Sequence, residues 1–159
     1  MRFPLEPLCT VRGIRLHKLE AALRHCREQY ERAEHQRLEA AARCEQATQE
    51  RQAFAETSWR QLLEGGQLLG EALNKHERHL ALLDQQIQQR HAELETSERE
   101  RAQAKAAMEE AATAWQQARN KLDALGEMKQ GWLREARNQQ ALREEHSVEE
   151  LMLSHTKSH

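Results

Sequence analysis

The strongest constraint on this chain is a period of 3.5 residues. Starting from Leu16 and stepping alternately by three and four, the sequence meets Leu16, Leu19, Leu23, Cys26, Tyr30, Ala33, Arg37, Ala40, Cys44, Ala47, Arg51 and Phe54. Ten of these twelve are apolar or small, and the positions between them are mostly Glu, Arg, Gln and His. Stepping back reaches Arg12, Cys9 and Leu5. Such a period held over several heptads predicts a coiled coil rather than an isolated amphipathic helix of a globular domain.

A second series has its own frame and does not slip. It runs Leu69, Leu73, His76, Leu80, Leu83, Ile87, Arg90, Leu94, Ser97, Arg101, Ala104, Met108, Ala111, Trp115, Ala118, Leu122, Leu125, Lys129, Trp132, Ala136. The first frame would continue to Ser58 and Gln61, whereas the apolar residues are Trp59 and Leu62. The first series is therefore expected to shift by one just before the interruption. That interruption is Gly65, Gly66 and Gly70. Glycine weakens a helix interior and supplies left-handed turn geometry, so three in so short a stretch predict one chain reversal.

An antiparallel pair keeps the sum of facing residue numbers constant, and a sum of 134 matches core to core along both series. Phe54 meets Leu80, Ala47 meets Ile87, Ala40 meets Leu94, Tyr30 meets Ala104, Leu23 meets Ala111 and Leu19 meets Trp115. Large residues face small ones, as dense packing requires. Arg37 opposite Ser97 and Ala33 opposite Arg101 form a weaker polar zone. There, long Arg stems can lie on the seam while their charges reach water.

The expected fold class is all-α: a long antiparallel two-helix coiled-coil hairpin with a protruding C-terminal helix. As one coiled-coil domain over residues 1–159, it has helix 1 at about 8–64, a turn at 65–70, helix 2 at about 70–150 and a frayed tail at 151–159. Pro4 and Pro7 limit the start of helix 1. Each arm would be roughly 85–90 Å long at 1.5 Å per residue. From about residue 130 onward, helix 2 would run on without a partner.

Composition excludes the main alternatives. There are 23 Ala, 21 Leu and 17 Gln but only two Val and two Ile, too few β-formers for a sheet. A net charge of -2 gives no electrostatic reason to expect nucleic acid. No run of 18 apolar residues predicts a membrane span. The start MRFPLEPLCT has no apolar core of a secretory signal, so direct membrane insertion is not expected. Cys9, Cys26 and Cys44 make an odd, widely spaced set, as in a reducing cytoplasm.

Nothing in the chain predicts catalysis, a cofactor or a metal. His76 and His79 lie one helical turn apart, but two ligands do not close a site, and a solvated helix face is the expectation. The cysteines fall on the seam, where a small thiol packs like an apolar group. No nucleophile–base pair, phosphate loop or paired-carboxylate pocket is present.

Partner surfaces are the remaining possibility. Residues 1–30 carry six Lys and Arg against three acids, a balance of +3. Residues 135–153 carry five acids against two Arg, a balance of -3. Such asymmetry steers docking. Arg12, Arg15 and Lys18 belong to the basic start and sit mostly off the seam. Leu63, Leu68 and Leu82 lie near the reversal, and Trp132, Leu133 and Leu142 lie where no helix 1 partner is expected to remain. A two-helix stalk cannot hide such groups, and apolar exposure at both ends suits a protein that bridges two others.

The basic start RGIRLHKLEAALRHCREQYERAE, the turn region SWRQLLEGGQLLGEALNKHERHLALLDQQI and the acidic end EEHSVEEL resemble the FliJ/YscO family of type III secretion and flagellar export. The resemblance covers most of the chain and rests on shape and period more than on fixed residues. It implies a non-enzymatic stalk, monomeric when free. That stalk would couple a hexameric secretion ATPase to the cytosolic domain of the export gate, with secretion chaperones as further partners in the YscO branch. It implies a cytoplasmic place at the membrane-associated apparatus and leaves room for export of the chain itself. The competing reading is a generic cytosolic scaffold or tether.

Overall fold

The computed structural model describes residues 2–65 and 70–157. Two helices account for nearly all of them: α1, Glu6–Glu64, and α2, Gly70–Lys157. The described residues include no strand. The all-α hairpin is thus observed, with α1 and α2 packed against each other. The reversal itself, with Gly66, Leu68 and Leu69, lies outside the described residues.

The chain divides into two compact units: Met1–Leu23 with Ala111–His159, and Arg24–Glu110. In each, a stretch of α1 packs on a stretch of α2. In the second unit, Ser58 meets His76, and these numbers add to 134. Arg51 meets Asp84, adding to 135. In the first, Glu6 meets Lys129, also adding to 135. Both units are therefore antiparallel and in the register expected from the sequence.

Burial follows the period. On α2, every described seam position from Leu73 to Ala136 is buried or half-buried. On α1, the buried residues are Leu23, Ala33, Ala40, Cys44 and Ala47. No large side chain is fully buried among the described residues, because one partner helix covers only one side of a seam residue. Near the end of α1 the frame holds one step longer than expected. Ser58 is half-buried while Trp59 is exposed, and the shift comes at Leu62.

Helix ends differ from expectation in two places. α1 begins at Glu6, so Pro7 occupies its first turn. A missing N–H costs nothing there, since first-turn amides lack intrahelical acceptors. α2 continues to Lys157, so residues 151–157 are helical rather than frayed. No Gly or Pro follows Gly131 to stop it. Ser154 and Thr156 donate their hydroxyls back to the Leu151 and Met152 carbonyls. His155 and Lys157 in the last turn complement the helix dipole.

Candidate functional site

In the unit holding both chain ends, the segment before α1 does unexpected work. Phe3 is 7% exposed, and its ring lies 5.8 Å from that of Trp132, tilted by 59°. The Glu6 amide donates to the Phe3 carbonyl at 3.1 Å and turns the chain into the helix. The Glu6 carboxylate then pairs with Lys129 Nζ at 2.8 Å. That bond is the main reason the Lys129 ammonium is held above its ordinary pKa. Trp132 is therefore not without a partner, and Leu133 is half-buried, lining a shallow groove with Phe3 and Pro4. The expectation failed because Phe3 lies outside the helical period, so seam counting gave it no place.

The basic start separates into two kinds of residue. Arg12 is a seam residue: it is half-buried, and its guanidinium donates to the Lys121 carbonyl at 3.4 Å. Arg15 and Lys18 are exposed. The latter two lie off the seam, and Arg12 lies on it, where the 3.5-residue series stepped back from Leu16 had reached it. Further along α2, the Arg119 guanidinium sits 5.3 Å from the centre of the half-buried Trp115 ring.

In the Arg24–Glu110 unit, the polar zone is a closed charge cluster. Arg37 holds Glu34 through two hydrogen bonds, of 2.7 and 3.2 Å. Arg101 of α2 pairs with the same carboxylate and donates to the Tyr30 hydroxyl at 3.2 Å. Its guanidinium lies 5.7 Å from the Tyr30 ring centre. The Arg37 hydrogen bonds, reinforced by Arg101, lower the Glu34 pKa to about 2. These Arg charges do not simply lift into water: two of them share one acid across the helix pair.

The same unit ends in an aromatic and histidine cluster. His76 is buried, and its Nδ1 lies 2.6 Å from the Ser58 hydroxyl. Phe54 and Trp59 flank the His76 ring at 5.6 and 6.1 Å, and His79 lies 4.1 Å from Phe54. His76 is thus a packed core residue rather than part of a solvated face. No group of three or more metal-ligating side chains occurs among the described residues. Leu63 and Leu82 are more than half exposed. Leu68 lies outside the described residues.

Sequence reasoning passed over two further surfaces. Val11 and Ile14 on α1, and Val148, Leu151 and Met152 on α2, are all more than half exposed. A helical wheel would have found them, since each set shares one face off the seam. No helix among the described residues is long and apolar enough to cross a membrane.

A family model described as YscO-like protein matches residues 1–155. No curated protein matches the chain. Among solved structures, one described as a YscO homologue, CT670 from Chlamydia trachomatis, is similar with a TM-score of 0.82 at 18% identity. The match covers 95% of this chain and 92% of that one. At that identity the likeness speaks to the fold, which is the same long helical pair.

Proposed function

The chain belongs to the YscO-like family, whose members are structural proteins related to type III secretion, and on that premise we propose that it is the stalk that couples the export ATPase to the export gate. The unit with both chain ends would enter the ATPase ring, and the unit that reaches Glu64 and Gly70 would meet the gate's cytosolic domain. Secretion chaperones would be additional cargo-side partners, and the complex would assemble on the cytoplasmic side of the apparatus.

The observation that carries this reading is the distribution of side chains in the unit with the ends. Arg15 and Lys18 stand exposed beside a seam that is already closed. A shaft inside a ring must contact changing subunits in turn. Exposed charges suit that, because their interactions are weak singly and lost and remade at little cost. Opposite surface charge also speeds encounter. Leu63 and Leu82 give the other unit exposed apolar groups of its own for the gate contact.

The test is a pull-down and ATPase assay with the cognate ATPase, beside circular dichroism. The wild-type chain should bind and stimulate. Arg15→Glu with Lys18→Glu should weaken stimulation and leave the helical signal intact, whereas Leu63→Ser with Leu82→Ser should impair gate binding alone. Arg12 is a poor probe, because its loss would disturb the seam. A well-folded wild-type chain that ignores the ATPase would leave the generic scaffold as the better reading.

A further inference from the structure

The apolar seam repeats so regularly that it fits more than one register. In the Arg24–Glu110 unit the facing numbers add to 134 at Ser58–His76 and to 135 at Arg51–Asp84. Moving one helix by a heptad gives sums of 127 or 141 and again brings seam to seam. At 127, Phe54 faces Leu73, Ala47 faces Leu80, Ala40 faces Ile87 and Ala33 faces Leu94. At 141, Phe54 faces Ile87, Ala47 faces Leu94 and Ala33 faces Met108. In both, small alanines again meet long side chains. The reversal does not choose between them, because a turn at 61–66 or at 68–73 still contains glycine. Apolar burial has no direction of its own, so it leaves the register nearly open.

Charged side chains on the seam do not repeat in this way. At a sum of 134, Arg37 faces Ser97, Arg51 faces Leu83, Arg90 faces Cys44 and Arg101 faces Ala33. At 127 Arg37 would face Arg90, and at 141 Arg51 would. Like charges at facing positions oppose pairing. The Glu34 cluster adds an attraction specific to the observed register. The Arg37 hydrogen bonds to Glu34 lie within α1 and survive any slip. The contacts of Arg101 with the Glu34 carboxylate and the Tyr30 hydroxyl cross between the helices. A slip would set Arg101 opposite Cys26 or Ala40, and Glu34 beside Leu94 or Met108. Tyr30, Glu34, Arg37 and Arg101 are all half-buried, so water only partly replaces a lost partner. Arg51–Asp84 discriminates less: Asp84 is exposed, and at 127 it would lie opposite Arg43.

We propose that the Tyr30–Glu34–Arg37–Arg101 cluster is a register lock, which selects one of several apolar alignments of α1 on α2. A polar group at a core position of a coiled coil gives up stability and specifies register. Register in turn sets how far α2 runs on unpaired. A heptad slip would move about 10 Å of helix into or out of that end. This goes beyond the stalk reading and does not depend on it.

The experiment is disulfide trapping in the full chain under mild oxidation, with the bridged peptides identified by mass spectrometry and bridges between chains separated by size. Three cysteine substitutions, each made alone, report register against native cysteines. Met108→Cys faces Cys26 at 134, Leu83→Cys faces Cys44 at 127, and Ser97→Cys faces Cys44 at 141. A heptad offset of about 10 Å exceeds the reach of a disulfide, so each reporter reads one register. With no other change, the Met108→Cys bridge should dominate. Adding Arg101→Leu should raise the Leu83→Cys or the Ser97→Cys bridge at least about tenfold, as the loss of one charged hydrogen bond supplies. Circular dichroism should stay fully helical. Glu34→Gln removes the partner of Arg101 without touching the seam and should act in the same direction, so the test survives an Arg101→Leu chain that does not fold. Arg101→Lys keeps the charge and should raise the slipped bridges less than Arg101→Leu. Phe3→Ala is the control, because the Phe3–Trp132 contact of the other unit also depends on register. It should leave every bridge at the wild-type level. Folded variants of Arg101 and Glu34 whose slipped bridges stay at the wild-type level overturn the proposal, and the cluster then contributes stability alone. So do slipped bridges that are already abundant without those variants, or a rise with Phe3→Ala equal to that with Arg101→Leu. No ATPase is present in any arm, so failure here leaves the stalk reading untouched.

Discussion

Ala40 and Leu151 make an instructive pair. Ala40 is 1% exposed and Leu151 is 69% exposed, although leucine is by far the more apolar side chain. Ala40 sits on the α1 seam of the Arg24–Glu110 unit, where α2 covers it. Leu151 sits beyond the last half-buried residue of α2, Ala136. In a structure built from two helices, burial is set by whether a partner lies opposite, and side-chain hydrophobicity comes second. In the Arg24–Glu110 unit the buried residues of α1 are accordingly small, Ala33, Ala40, Cys44 and Ala47, which let the helices approach closely. The end of α2 keeps large ones, Val148, Leu151 and Met152, with nothing over them.

That contrast can be broken most forcefully at Leu125, the most buried leucine among the described residues at 3% exposure. Leu125→Ala should cost about 2–3 kcal/mol, the lower part of the range for large-to-small core substitutions, since a two-helix seam relaxes readily. Urea unfolding followed by circular dichroism measures it. A loss near zero would mean the seam there is not a core.

Ala40→Leu probes the opposite side of the comparison. Adding volume where helices approach closely should cost about 1–3 kcal/mol, although the new residue is more hydrophobic. A gain in the urea midpoint would show that the helices have slack at this point and that small residues are not required.

Glu34→Gln sharpens the comparison by pH. The folded chain holds Glu34 at about 2, below the ordinary 4.5. A depressed carboxylate contributes stability that is present above the unfolded pKa and is lost as pH falls through the folded one. The wild-type chain should therefore melt higher than the variant at neutral pH, and the gap should close as pH drops from about 5 toward 2. Melting curves of both proteins across that window decide it. A gap that stays constant would mean that Arg37 and Arg101 do not act on this acid.

The smallest effects are expected off the seam. Leu151→Ala should change stability by no more than about 0.5 kcal/mol, and so should Gln116→Glu. Thermal melts of the dilute chain check both. A loss at Leu151 comparable to that at Leu125 would show that the end of α2 is covered in the free chain.

Much of this was legible in the sequence, at particular residues. Every described seam position named on α2 from Leu73 to Ala136 is at least half-buried, and the pairing register is right to within a residue at Ser58–His76, Arg51–Asp84 and Glu6–Lys129. The candidate partner residues were less legible. Arg12 and Arg15 were grouped as one basic start, yet Arg12, on the seam series, donates to a carbonyl of α2 and Arg15, off it, is exposed. Trp132 looked uncovered because its cover, Phe3, lies before the helix and obeys no period.

The sequence by itself determined the helices, their seams, the antiparallel register and the sites of charge asymmetry. Each of these follows from spacing along one chain, and helical period converts spacing into direction. Only the tertiary structure decided which long side chains meet across the pair. The shared Glu34 carboxylate, the burial of His76 between Phe54 and Trp59, and the Phe3–Trp132 contact each depend on rotamers and on a second element. The persistence of α2 to Lys157 is a third kind of outcome. No stop residue follows Gly131, so the helix continues past the point where its partner ends.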